Sequence, residues 1–317
     1  MRAAFLDISS LGPKDLDLAP LEAAVDSLTC YDHTPPERVV ERLQGVDLVM
    51  VNKVVLSAEL FQQLPNLKHI VIAATGANNI DLDAARKQGI SVQNCQAYGV
   101  DSVAQHTLML ILTLTTRLLD YRQAIKAGAW SQSPHFCLLD FPVESLAGKT
   151  LGIVGYGELG QAVGRLAEAF GMQVCVAARP GQANINGRIP LAELLPQVDI
   201  LTLHCPLTPT TKDLIGAAEL QAMQQSALLI NCARGGIVNE EALLNALVNN
   251  HIAGAAMDVL TVEPPPADHP LLQYQENNLI LTPHSAWASR KARQTIVQQL
   301  AQNITSLASE QPQFLLS

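Results

Sequence analysis

What is missing narrows the field first. The 317-residue chain has no apolar run near the roughly 20 residues that a membrane-crossing helix requires. Its start, MRAAFLD, lacks a basic flank followed by a long apolar stretch and a small-residue cleavage site. No secretory leader is therefore expected, and the chain is predicted to be soluble and cytoplasmic. Cysteine is sparse: six residues at 30, 95, 137, 175, 205 and 232, with no CxxC pair and no metal-type cluster. Most lie in or beside apolar segments, where a free thiol behaves as a small hydrophobe. A reducing compartment and no metal site are expected. Cations are outnumbered, 20 Lys and Arg against 29 Asp and Glu, for a net charge of −9. Nucleic-acid binding relies on clustered cations and is not expected here. An anionic small molecule remains compatible, provided that a local positive site holds it. Internal repeats and low-complexity tracts are missing as well.

What is present is alternation. The first hundred residues contain candidate strands at 2–7, 28–32, 47–52, 68–75 and 90–94, separated by segments with helical spacing such as PPERVVERLQG and SAELFQQLP. Strands alternating with helices predict a parallel sheet covered on both faces. Residues 101–127 read as one long helix, apolar over most of its surface and so expected between domains or subunits. Residues 128–147 lack periodicity and read as an extended arm or loop. A second α/β series follows, with strands at 150–155, 173–178, 200–205, 228–233, 253–259 and 278–284. Six strands in this alternation fit a doubly wound dinucleotide-binding domain. The amphipathic segment 289–309 is predicted to be helical and to return to the first domain.

The stretch Gly155-Tyr156-Gly157-Glu158-Leu159-Gly160 matches GxGxxG and stands between an apolar strand and a helical run, the context its mechanism requires. Gly155 permits the tight turn, Gly157 lets a pyrophosphate approach the backbone, and Gly160 allows close helix packing. The helix N-terminus then offers unpaired N–H groups and a positive dipole end. An NAD site usually closes the next strand with Asp or Glu. This chain instead runs Ala177-Ala178-Arg179-Pro180. The missing acid and the guanidinium of Arg179, which can pair with a 2′-phosphate, favour NADP(H) over NAD(H). The other reading of Arg179 is stacking on adenine, compatible with either cofactor.

Ligands of open parallel sheets gather at the carboxyl ends of the strands. Those ends carry His204, Arg234, Asp258 and His284, with Glu263 in the loop after Asp258. Reduction of a 2-oxo acid needs a fixed cation for the carboxylate, a proton donor poised near neutral pH, and a carboxylate that orients the donor. Arg234, His284 and Glu263 can supply these roles in that order.

Taken together, these motifs resemble the D-isomer-specific 2-hydroxyacid dehydrogenases over nearly the whole chain. The matching stretches are Gly155–Gly160, His204-Cys205-Pro206-Leu207-Thr208, Asn231-Cys232-Ala233-Arg234-Gly235-Gly236, Asp258 with Val259 and Glu263, and Pro283-His284. The resemblance implies that Arg234 binds substrate, that Glu263 supports His284, and that His284 is the acid/base. It places Asp258 near the nicotinamide carboxamide, and His204, Cys205, Pro206, Thr208, Cys232 and Ala233 along the cofactor. It implies two doubly wound parallel-sheet domains: a Rossmann-type cofactor domain at 101–287, and a discontinuous, flavodoxin-like substrate-binding domain at 1–100 and 288–317. A homodimer is implied, with the apolar helix after 101 and its arm as the contact surface.

Within the family, the segments 51–55, 73–79, 101–107 and 283–288 are most similar to the glycerate dehydrogenase, or hydroxypyruvate reductase, branch. Hydroxypyruvate/D-glycerate or glyoxylate/glycolate are the expected substrates, with another 2-oxo acid as the alternative. Backbone N–H groups of Thr75-Gly76-Ala77 are expected to hold the substrate carboxylate together with Arg234. Lys53 is read either as added charge for the substrate or as a solvated strand-end lysine. His106, inside an apolar helix, is expected to be a satisfied core histidine. A different class of function, a dimeric NAD(P)H-sensing binding protein, is disfavoured by the complete Arg234, Glu263 and His284 set.

Overall fold

Short segments rich in Val, Ile, Leu and Ala form strands that pair in parallel, because both faces of each sheet can then be covered by the connecting helices. The computed structural model describes residues 1–179, 187–307 and 313–316. The chain divides into two compact units, Met1–Gly99 with Trp287–Ser317, and Val100–Ala286.

The first unit holds β1 (Arg2–Phe5), β2 (Ser27–Cys30), β3 (Leu48–Val51), β4 (His69–Ile72) and β5 (Ser91–Gln93), in the order β2-β1-β3-β4-β5. Every described ladder between them is parallel. β3 is buried along its whole length, whereas β2 lies at the edge and is largely exposed. As an edge strand, β2 pairs on one side only, with β1. The helix Arg290–Ser306 packs in this unit through Ile296, Val297, Leu300 and Ile304, beside Phe5, Leu48 and Val71. Its Arg293 forms a bidentate pair with Asp15 at 2.7 and 2.8 Å and donates to the Leu11 and Gly12 carbonyls. Leu315 forms an antiparallel bridge to Gln93, so the last described residues cover the β5 edge.

The second unit holds β6 (Thr150–Val154), β7 (Gln173–Val176), β8 (Ile200–Leu203), β9 (Leu228–Asn231), β10 (Gly254–Met257) and β11 (Leu279–Leu281), ordered β11-β10-β9-β8-β6-β7 and parallel in each described pair. The order reverses beside β6, which places a topological switch point at its carboxyl end. Strands end earlier than the apolar runs suggested: β11 stops at Leu281, and Thr282–His284 turn away into the site.

The helix expected over 101–127 is two helices, Val100–Thr115 and Leu118–Lys126, broken where Arg117 takes a left-handed φ of 53°. Hydroxyls of Thr113, Thr115 and Thr116 bond back to the carbonyls four residues earlier, a pattern that bends helices. The Thr115 carbonyl accepts from Glu144 N instead of continuing the ladder, and Arg117 Nε lies 2.6 Å from Asp120. After the second helix, Ala129–Gln132 adds one helical turn to what was expected to be an arm. Short helices such as Ala19–Ala23, Leu82–Lys87 and Ala217–Ala222 carry too few residues for periodicity to reveal them. Among the described residues, no helix is long and apolar enough to cross a membrane, and no group of His, Cys, Asp and Glu is placed to hold a metal.

Candidate active site

Four strand ends and one loop of the second unit converge on the chemistry-bearing residues. The glycine turn after β6 is shaped by close approach. Gly155 has φ +92°, and a Cβ there would lie 2.6 Å from His204 C and Cys205 N, so the β6 and β8 ends touch through backbone. A Cβ on Gly160 would run into the Gly155 carbonyl oxygen. Gly157 caps the helix Glu158–Ala169, and nothing lies within 4 Å of the Cβ position there. An open glycine at the start of a twelve-residue helix leaves room for a diphosphate against the helix N–H groups. Tyr156 turns back over the same helix, its hydroxyl and ring 3.5 Å from the Cβ position of Gly164. The first turn also contains Glu158 and Leu159.

At the end of β7, Ala178 is buried and Arg179 exposed, with Ala178 N donating to Ile189 O at 2.7 Å. No carboxylate stands there; Pro180 lies outside the described residues. After β8, His204 N donates to Val154 O, its Nε2 lies 3.0 Å from Thr202 Oγ1, and its buried Nδ1 has no protein partner. Burial pulls this imidazole down to about 4, so it is neutral at physiological pH. An orphaned, neutral ring nitrogen beside the glycine turn fits a bound polar group there. The Cys205–Thr208 loop is stapled by Thr211, whose Oγ1 donates to Pro206 O and accepts from Thr208 N, both at 2.7 Å. Burial raises the Cys205 thiol and raises Cys232 to about 12, which makes both inert.

The turn after β9 is set by a residue that periodicity did not single out. Asn231 is fully buried; its Oδ1 accepts from Ala233 N and its Nδ2 donates to Arg234 O, both at 3.0 Å. Arg234 Nη1 reaches back to Ala233 O at 2.7 Å. Gly235 is pressed so closely against the Leu260–Thr261 peptide that any Cβ would overlap it. The Arg234 turn and the loop after β10 therefore share one packed backbone contact.

Asp258, 1% exposed, closes β10. Its Oδ1 accepts from Ser285 N at 2.9 Å and Thr282 Oγ1 at 2.6 Å, and its Oδ2 accepts from Ala286 N at 3.0 Å. Its carbonyl accepts His284 N at 2.8 Å. One buried carboxylate thus braces the whole 282–286 segment. Behind it, His106 Nε2 is 3.1 Å from Thr282 Oγ1 and 3.5 Å from Asp258 Oδ1. Since the Thr282 hydroxyl donates to Asp258, His106 donates to Thr282, and burial lowers its basicity while Asp258 partly restores it. The expected core histidine is satisfied, and it bears directly on the His284 segment.

His284 itself has a left-handed φ of 50°, and its Nδ1 lies 2.6 Å from Glu263 Oε2. Glu263 Oε1 accepts from Leu260 N at 2.9 Å. Both side chains are about one-third exposed. The pair can hold a proton on Nδ1 and exchange one at Nε2.

In the first unit, Asp7 is buried at the end of β1 and accepts from Asn52 N, Lys53 N and Val54 N at 2.8, 2.6 and 3.3 Å. Lys53 is therefore presented by a fixed backbone. Asn94 Nδ2 donates to Thr75 O at 2.7 Å and anchors the start of Thr75-Gly76-Ala77. Nothing in the sequence pattern separated Asp7 or Asn94 from ordinary strand-end polar residues.

Comparison with known proteins gives the site its family. Residues 108–286 match the family model described as D-isomer specific 2-hydroxyacid dehydrogenase, NAD binding domain. The chain is 44% identical over 284 residues to a glycerate dehydrogenase of Methylorubrum extorquens, covering 89% of this chain and 90% of that one. It is 35% identical over 319 residues to a hydroxypyruvate reductase of Blautia hydrogenotrophica, covering 98% of each. The structure of an acyclic imino acid reductase in complex with NADPH and D-Arg superposes over all of both chains with a TM-score of 0.86 at 28% identity. With its matched cofactor domain and full-length relatives, the chain belongs to the D-isomer-specific 2-hydroxyacid dehydrogenases.

Proposed function

We propose that this enzyme reduces hydroxypyruvate to D-glycerate, with glyoxylate as a second substrate, and that it prefers NADPH. The observation that carries the reading is the His284–Glu263 couple at 2.6 Å, in the same unit as Arg234 and the glycine turn. The named activities of the Methylorubrum and Blautia relatives support the substrate. Lacking a carboxylate at Ala178, with Arg179 exposed beside it, supports a 2′-phosphate.

Gly155–Gly160, Arg179, the 204–208 loop, Cys232, Ala233 and Asp258 would hold the dinucleotide, which supplies the hydride when bound. Arg234 binds the substrate carboxylate and polarises the 2-oxo group with a planar, permanently charged fork. Lys53 and the backbone of Thr75-Gly76-Ala77 add further donors to the substrate. Glu263 keeps the imidazole oriented, and His284 gives its Nε2 proton to the developing alkoxide. The reverse reaction returns that proton to His284. The first unit is accordingly the substrate-binding domain, and Val100–Ala286 the cofactor domain. Exposed Trp130, Phe136, Leu139 and Val143 support a homodimer through the segment after the Leu118–Lys126 helix.

The test is absorbance at 340 nm with hydroxypyruvate and glyoxylate, each with NADPH and NADH. Rapid oxidation of NADPH with hydroxypyruvate is expected. Much faster turnover of a branched 2-oxo acid would overturn the substrate, and a preference for NADH would overturn the cofactor reading.

A further inference from the structure

We infer that Glu240 and His269 are positioning residues that hold the Glu263 carboxylate against His284, acting through the backbone of Leu260 and Thr261. The inference rests on the reading of His284 as the proton donor.

Glu263 sits in the loop between β10 and the helix Pro270–Gln273, a stretch with no regular structure of its own. A loop carboxylate must be held tightly if it is to meet an imidazole at 2.6 Å, since sub-ångström displacement loses the bond. Two consecutive N–H groups of this loop end on two different carboxylates. Leu260 N donates to Glu263 Oε1 at 2.9 Å, and Thr261 N donates to Glu240 Oε1 at 2.6 Å. The Thr261 hydroxyl also donates to Glu240 Oε1, at 2.8 Å. The peptide between Leu260 and Thr261 is also pressed against Gly235, which carries no Cβ to push it away. The Glu240 bond and the Gly235 contact thus fix this peptide, and with it the position of Leu260 Cα, from which the N–H of the preceding peptide donates to Glu263.

Glu240 is itself anchored. It is the first residue of the helix Glu240–Val248, whose N-cap Asn239 accepts from Ala242 N at 2.9 Å, and an anion there is favoured by the helix end. Its second oxygen, Oε2, lies 3.1 Å from His269 Nε2. His269 Nδ1 accepts from Leu271 N at 3.3 Å, so the ring carries its proton on Nε2 and donates to Glu240. Glu240 and His269 side chains are only 17% and 12% exposed, far more enclosed than a surface pair. His269 lies at the far end of the Glu263 loop, so Glu240 ties both ends of that loop to one helix terminus. Titratable groups among the described residues that bear on His284 include Glu263 in the loop, Asp258 and His106 beneath the 282–286 segment, and Glu240 with His269 behind the peptide.

The experiment compares kcat, KM and the pH profile of hydroxypyruvate reduction for wild type, Glu240→Ala, Glu240→Gln, His269→Ala and Glu263→Gln, with cofactor affinity and thermal melting alongside. Glu240→Ala is expected to lower kcat about 10- to 100-fold, the scale of a small misplacement near the chemistry. Cofactor affinity should stay within about twofold, and the alkaline fall of the profile should move to lower pH, as removal of a positioned carboxylate disfavours the charged imidazole. Glu240→Gln keeps an oxygen for Thr261 and should recover part of the loss. His269→Ala should shift the profile in the same direction by less. A wild-type pH profile in Glu240→Ala overturns the inference, whatever happens to kcat. If Glu263→Gln also leaves the profile unmoved, the His284 reading fails with it; if Glu263→Gln shifts it, only the role of Glu240 fails. Should Glu240→Ala not fold, the profile of His269→Ala decides by the same criterion.

Discussion

His284 meets Glu263 at 2.6 Å from a backbone that few non-glycine residues adopt, φ 50°. Such conformations cost on the order of 1–3 kcal/mol and persist where surrounding bonds over-determine them. Asp258 supplies those bonds, taking Thr282 Oγ1, Ser285 N and Ala286 N on its carboxylate and His284 N on its carbonyl. The strain lies in the 282–286 turn and its restraint at the end of the neighbouring strand, which is why the imidazole can be aimed without a helix or strand to carry it.

Replacing His284 by Ala should lower kcat about 10²- to 10⁴-fold, the usual contribution of a positioned acid/base. Dinucleotide binding should survive, because the glycine turn is built from other residues. Fluorescence titration with NADPH, run beside the absorbance assay, separates the two effects. A variant with near-normal kcat would remove His284 from the chemistry.

Arg234→Lys keeps the charge but loses the planar fork. The carbonyl of residue 234 would still accept from Asn231, so the turn itself should persist. KM for hydroxypyruvate is expected to rise and kcat to fall, together about 10- to 1,000-fold in kcat/KM. Equal kcat/KM in the lysine variant would show that a point charge suffices.

Ala178→Asp puts a carboxylate where an NAD site usually has one. Ala178 is buried at the end of β7 with its N–H committed to Ile189 O, so its backbone should hold the new side chain in place. The ratio of kcat/KM for NADPH over NADH should drop roughly 10- to 100-fold, the equivalent of one charge-assisted hydrogen bond. An unchanged ratio would mean that Arg179 and Ala178 do not read the 2′-position.

How far the residues alone lead depends on whether function follows a local pattern. The alternation of apolar strands and amphipathic helices, the glycine turn, and the order of Arg234, Glu263 and His284 are local, and they are legible. The break at Arg117 is not, since it depends on a carbonyl of Thr115 turning to Glu144, 29 residues away. Asp7 and Glu240 escape for the same reason. Each is a single polar residue among many, and its partner, Lys53 N for Asp7 and Thr261 N for Glu240, is defined by folding rather than by spacing.

A dimer prediction follows from exposure. Phe136 is 92% and Leu139 85% exposed, next to Trp130, whose Nε1 donates to Phe136 O and keeps the segment folded back on itself. Exposing such groups in a lone chain is unfavourable at about 25 cal/mol per Å² of apolar surface. Light scattering after size exclusion should give twice the chain mass for wild type and a shift toward monomer for Phe136→Asp with Leu139→Asp. A wild-type monomer would locate the partner of this face elsewhere.

Acid should loosen the fold through His204 before the carboxylates respond. This ring is buried, holds Thr202 on one nitrogen, and titrates near 4 in the folded chain against about 6.5 when unfolded. Because the folded value is depressed, the unfolded chain binds the proton first. Stability is fully present above about pH 6.5 and declines as pH falls toward 4, by up to about 3 kcal/mol from this group alone. His69 and His106, lowered chiefly by burial, act in the same direction. Asp15, Asp47 and Asp120, held below their usual range by Arg293, the Arg2 backbone and Arg117 with Asn277, contribute only at lower pH. Urea unfolding at pH 7 and pH 5 should therefore differ measurably in the wild type and less so in His204→Gln, whose side chain takes up no proton. Equal pH dependence in both would mean that the buried ring is not the group that acid attacks first.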